Sequence, residues 1–166
     1  MRQKVEEKIL KQFYEYPGKK FTVRELSNLT GVPRATVHKK LIDLKNRRLI
    51  GGENEVVDSL LFRTKKVNYY IERIIESGLV DEIVSKLNTS CIILFGSIRK
   101  GDSVRESDID LFVESFVKRK INLGKFERRI GHKVQLFVES YINKLQDNLF
   151  NNVINGIKLF GSFKVK

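Results

Sequence analysis

Apolar positions in "RQKVEEKILKQFYE", residues 2–15, fall at Val5, Ile9, Leu10 and Phe13, one side of a 3.6-residue repeat, and predict an amphipathic helix. "YPGKK" ends it. In the following "FTVRELSNLTGVPRATVHKKLIDLKNRRLI", Thr22 can cap a short helix over 23–29, with Glu25 as the other half of a capping box. Gly31 closes that helix and Pro33 suits the first turn of the next, 33–47. Val37, Leu41 and Leu44 give this second helix a buried stripe, and its other face shows Arg34, Thr36, His38, Lys39 and Lys40. Leu49-Ile50, a Gly-rich polar turn and "SLLFRT" then read as a two-stranded hairpin. Val67, Tyr70, Ile71, Ile74 and Ile75 keep helical spacing, as do Leu79, Ile83 and Leu87. Gly78 between these sets marks either a break between two helices or a weak point in one.

At Cys91 the period changes. "CIILF", 91–95, is the continuous apolar run of a strand buried on both faces. "SDIDLFVE", 107–114, alternates: Ile109, Leu111 and Val113 face a core, while Asp108, Asp110, Phe112 and Glu114 face the other way. "GHKVQLFVES", 131–140, repeats that alternation, with Val134, Leu136 and Val138 facing the core and Lys133, Gln135 and Phe137 facing the same side as the two aspartates, the candidate site. Residues 141–161 read as a closing helix and a last short strand. The expected fold class is α/β (α+β). It has a domain of helices and a hairpin over 1–66 and a connector helix over 67–78. A domain with a small mixed sheet flanked by helices follows over 79–166.

Composition adds charge to this picture. The chain has 166 residues and a net charge of +12, with 15 Lys/Arg against 8 Asp/Glu in residues 1–65 and 17 against 12 in 66–166. The denser excess in the N-terminal part suits contact with a polyanion, although a solvated Lys-rich surface gives the same count. The single cysteine, Cys91, excludes an internal disulfide and sits where a buried strand residue belongs. No apolar run approaches the roughly 20 residues of a membrane span. The charged start "MRQKVEEKILKQ" lacks a signal-peptide core, so no membrane partner and a cytoplasmic location are expected.

A helix, a tight Gly turn, a helix with a basic face and a hairpin together resemble a winged helix-turn-helix domain of the prokaryotic type. The resemblance covers residues 1–65 and implies double-stranded DNA as a partner. It implies Arg34, Thr36, His38, Lys39 and Lys40 in the major groove, with Arg47, Arg48 or Arg63 near phosphates. On the residues alone, a plain packing unit with a solvated basic face is the alternative.

The strongest chemical signal lies in "FGSIRKGDSVRESDIDLFVE". A strand that runs into Gly96-Ser97 at the start of a helical turn can hold an anion. Glycine lets a phosphate reach the backbone, serine offers a hydroxyl, and free N–H groups point outward. Arg99, Lys100 and Arg105 lie close by and add positive charge. Asp108 and Asp110, at i and i+2, stand side by side and repel unless something positive sits between them. Mg²⁺ shared with nucleotide phosphates answers that need.

Gly96-Ser97, ten intervening residues and Asp108-Ile109-Asp110 reproduce the Gly-Ser-x10-Asp-x-Asp signature of the polymerase-β-like nucleotidyltransferases. Residues 79–161 resemble the minimal members of archaea and bacteria. The resemblance implies a nucleoside triphosphate, Mg²⁺ held by Asp108 and Asp110, and nucleotide contacts from Gly96, Ser97, Arg99, Lys100 and Arg105. Family members take a third carboxylate from a later strand, and Gln135 stands at that catalytic position here. An amide is a very poor general base. Glu139 lies four residues on, roughly 13 Å along the strand, and Glu114 is the other nearby acid. His132 reads as a surface or strand-end residue, and "KRK", 118–120, as a solvated loop.

Three readings follow. One is a DNA-binding transcriptional regulator with a nucleotide- and Mg²⁺-binding domain weak in catalysis. Another is an active transferase moving a nucleoside monophosphate onto a protein or small acceptor. The third, implied by the family, is an antitoxin with a small helical toxin as partner. The first half of the connector is also a candidate homodimer contact.

Overall fold

Residues 2–165 are described here by a computed structural model, in which the chain divides into two units, residues 1–65 and 66–166. Helix α1 (Arg2–Glu15), α2 (Val23–Thr30) and α3 (Arg34–Asn46) build the first. Their apolar stripes meet in a core that includes Ile9, Phe13, Phe21, Leu26, Val37, Leu41 and Leu44, all buried. The Phe13 and Phe21 rings meet edge to face, 5.1 Å between centroids. The capping box forms as its spacing predicts. The Thr22 backbone N–H donates to Glu25 at 2.8 Å and the Glu25 N–H donates to the Thr22 hydroxyl at 3.2 Å. Gly31 takes the left-handed conformation (φ 69°) that ends α2.

The expected hairpin is corrected. Only Ile50 and Val56 form an antiparallel bridge, and the "SLLFRT" stretch is helical, opening α4 (Leu60–Glu76). Phe62, Lys66, Tyr70 and Ile74 are buried along one side of α4, a helical stripe that starts before Val67. Ser59 supplies the start signal: its hydroxyl accepts the Phe62 N–H at 3.1 Å. A strand would have broken that stripe and left the cap without a helix.

The second unit takes in the rest of α4, then α5 (Leu79–Leu87), with Gly78 left-handed (φ 82°) as a true break between them. Strand β1 (Cys91–Phe95), the short α6 (Gly96–Lys100), β2 (Ile109–Glu114), α7 (Gly124–Ile130) and β3 (Val134–Glu139) follow. A single 3-10 turn (Ile142–Lys144), α8 (Asp147–Ile154) and β4 (Ile157–Gly161) close the unit. The sheet order is β3-β2-β1-β4, with β2 and β3 parallel and the other pairings antiparallel. The parallel pair needs a crossover, and α7 lies within it.

Both sheet faces are covered over most of β1 and β2, so alternation in β2 does not separate core from solvent. Ile109, Leu111 and Val113 are buried, and so are Phe112 and Glu114. Phe112 belongs to a cluster with Cys91, Ile93, Phe95, Ile142 and Val153, against which Phe137, Leu149 and Phe150 pack. Phe137 therefore faces this core, not a site as the alternation of β3 predicts; its ring lies 5.3 Å from that of Phe95. Burial also pushes the Cys91 thiol up to about 11, which leaves it inert near neutral pH.

Candidate active site

Register brings the signature residues together. Phe95 of β1 stands opposite Asp110 of β2, and Asp110 stands opposite Gln135 of β3. Gly96, the next residue after Phe95, has φ +73° and lies against the Asp110 carboxylate. A Cβ built on Gly96 would collide with the carboxylate oxygen and sit 3.0 Å from Asp110 Cγ. Only glycine meets both demands. Ser97 is half-buried in the first turn of α6, Arg99 and Lys100 follow on α6, and Arg105 is exposed in the next loop.

The loop from Gly101 to Asp108 is tied at several points. The Asp102 N–H donates to the Ser97 carbonyl at 3.1 Å, and the Val104 N–H donates to the Ser107 hydroxyl at 2.9 Å. Two side chains outside the signature hold it from behind. Buried Lys66 donates from Nζ to the Ser103 carbonyl, and His132 Nδ1 lies 2.7 Å from the Ser107 carbonyl, one residue before Asp108. His132 is 5% exposed and stands edge-on to Tyr70, 5.0 Å between ring centroids, so it is no surface residue. Lys66 carried a usable signal, a charge on the buried stripe of α4. His132 carried none that distinguishes it from any strand-end histidine.

The acid pair is electrostatically unfinished. Burial, then repulsion from Asp108, pushes the Asp110 carboxyl above the usual range. Gln135 donates from Nε2 to Asp108 Oδ2 at 2.5 Å, a hydrogen bond that offers no net charge. No Lys or Arg pairs with either aspartate among the described residues, and no group of three or more His, Cys, Asp or Glu side chains converges there. Two carboxylates with uncompensated charge still suit Mg²⁺, which takes few protein oxygens and completes its shell with phosphate and water.

Neither of the other acids joins them. Glu114 is buried, accepting from the Ser90 hydroxyl at 2.8 Å and from the Ile142 N–H at 2.9 Å. Glu139 stands opposite Glu114, four positions beyond Gln135, and lies 3.5 Å from Lys118 Nζ.

In the first unit, Arg34, Thr36, His38 and Lys39 are exposed on α3. Lys40 is half-buried and bonds Glu6 at 3.2 Å, while Arg47 reaches Glu6 at 2.8 Å and Asp43 at 3.1 Å. Arg63 bonds Asp58 at 2.7 Å. Burial works to raise the Glu6 carboxyl, but hydrogen bonds from Arg47 and Lys40 outweigh it and hold that carboxyl below its ordinary range.

At one end of the two central strands, β1 and β2, the Gly96 backbone thus lies beside an uncompensated acid pair. The family model described as "Nucleotidyltransferase domain" matches residues 76–159, half of the chain, and the chain belongs to that family. No curated protein and no solved structure matches the chain. Among the described residues no helix is long and apolar enough to cross a membrane.

Proposed function

We propose that the second unit binds a nucleoside triphosphate together with Mg²⁺ at Asp108 and Asp110, and that its transfer chemistry is weak. The first unit binds double-stranded DNA, which makes the protein a DNA-binding regulator with a nucleotide-binding domain. The observation that carries the weak-transfer reading is the Gln135 amide bonded to Asp108 where the family has its third acid. Bound Mg²⁺ supplies the charge that the aspartates and the phosphate oxygens share. The chain's own residues do the rest. Gly96 keeps the backbone clear for phosphate, and Ser97 offers a hydroxyl. Lys66 and His132 fix the loop that delivers Asp108. Gln135 orients Asp108 but accepts no proton.

A second reading is an active transferase that moves a nucleoside monophosphate onto a protein or small acceptor. The intact Gly96-Ser97 and Asp108-Ile109-Asp110 signature, brought together by the strand register, favours it. Incubation with labelled ATP or CTP and Mg²⁺ separates the two. The proposal expects no labelled product from the natural chain and turnover from Gln135→Asp. Product from the natural chain that disappears in Asp108→Ala overturns weak transfer and establishes the enzyme.

The exposed face of α3 supports DNA binding, with Lys40 contributing less because Glu6 already holds it. A salt-sensitive mobility shift lost in Arg34→Ala/Lys39→Ala is the expected result. A shift that this change leaves intact contradicts that face.

A further inference from the structure

A cavity of about 530 Å³ opens beside the far end of β2. Glu114 lines it, four residues and roughly 13 Å along the strand from Asp110, so it is separate from the acid pair. Its volume is that of a small-molecule site. Phe116 and Tyr141, 72% and 53% exposed, meet edge to face at 5.1 Å and line it. Lys144 and Lys164 line it too, and Lys144 Nζ lies 5.9 Å from the Tyr141 ring centre. Neither lysine forms an ion pair among the described residues.

Three features have to be matched by one occupant. Exposed aromatic rings in van der Waals reach of a cavity favour a flat ring. Two unneutralised lysines favour an anion. The buried Glu114 carboxylate accepts one hydrogen bond on each oxygen, from Ser90 and Ile142, and retains lone pairs for one more donor. A carboxylate and two ammonium groups in one cavity would repel a simple anion at one end and a simple cation at the other. A ring with an amino edge and an anionic tail satisfies both ends.

We propose that this cavity is a second nucleotide site, for a nucleoside monophosphate whose base carries an exocyclic amine. The amine donates to Glu114, the base packs on Phe116 and Tyr141, and the phosphate meets Lys144 and Lys164. The site needs no magnesium and does not depend on the transfer reading.

The test uses the full chain carrying Asp108→Ala/Asp110→Ala, without divalent cations, and AMP as the probe in titration calorimetry. Saturable AMP binding at this variant is expected. It weakens about tenfold or more in Lys144→Ala/Lys164→Ala, the loss of charge-assisted hydrogen bonds. A similar loss is expected in Phe116→Ala/Tyr141→Ala, whose exposed side chains the fold does not need. UMP, which lacks the amine, should bind about tenfold more weakly than AMP. Absence of binding at millimolar AMP, or AMP binding unaffected by the cavity variants, overturns the site. Equal affinity for UMP overturns the role of Glu114, and 4-aminobenzoate binding more tightly than AMP overturns the nucleotide. Because the acid pair is absent throughout, failure here leaves the magnesium–triphosphate reading standing, and its failure leaves this one.

Discussion

The two ends of β2 each place a carboxylate on the same face of the same strand, and the sequence surrounds them in opposite ways. Glu114 is buried and answered: a serine hydroxyl and a backbone N–H point at its two oxygens. Asp110 is less buried and unanswered, with another aspartate for its neighbour and a neutral amide beyond. One carboxylate has a donor on each oxygen and the other has none among the described residues, and the proposed function completes the second with Mg²⁺. Unrelieved charge points to a bound cation at one end of the strand, while the answered carboxylate at the other end keeps acceptor capacity for one more donor.

The largest expected effect is at the structural end. Glu114→Ala leaves the buried Ile142 N–H without its acceptor and the Ser90 hydroxyl with only its longer bond to the residue 114 carbonyl, at a cost of about 2–3 kcal/mol. Denaturant unfolding should show this as a lower midpoint, and an unchanged midpoint would mean that the Glu114 bonds do not matter. Gly96→Ala comes next. Its Cβ meets the Asp110 carboxylate at a positive φ, which should cost about 1–3 kcal/mol and weaken Mg²⁺-nucleotide binding as well.

Asp110→Asn should work the other way, raising stability in magnesium-free buffer by less than about 1 kcal/mol. The folded state takes up the Asp110 proton more readily than the unfolded chain does. Its penalty is therefore present at neutral pH and fades as pH falls below the raised carboxyl range. Glu6→Gln has the opposite pH slope. The Glu6 carboxyl is held low, so its contribution is present above the ordinary carboxyl range and is lost as pH falls through the lowered one. The loss should again stay below about 1 kcal/mol. Melting curves at pH 7 and pH 3.5 measure both, and parallel pH trends for the two variants would break the contrast between answered and unanswered acids.

Much of this was legible in the chain. The capping box at Thr22 and Glu25, the stop at Gly31, the buried run 91–95 and the signature from Gly96 to Asp110 all depend on contacts within a few residues or on fixed spacing. The hairpin at 59–64 was misread because six residues with three apolar side chains fit either period, and Ser59 as a cap was the deciding signal. The face of β3 that carries Phe137 was misread for a different reason. Alternation identifies a core only when one face meets water, and α8 covers the second face here. Lys66, His132 and the partners of Glu114 come from 24 to 37 residues away in sequence, so no local pattern could have assembled them.

The most direct test of the central claim is ATP affinity with and without Mg²⁺, measured on the natural chain and on Asp108→Ala/Asp110→Ala at matched ionic strength. The account predicts a magnesium-dependent binding event, weakened about a hundredfold or more when the two carboxylates are removed. Magnesium-dependent binding that survives in the double variant would contradict it.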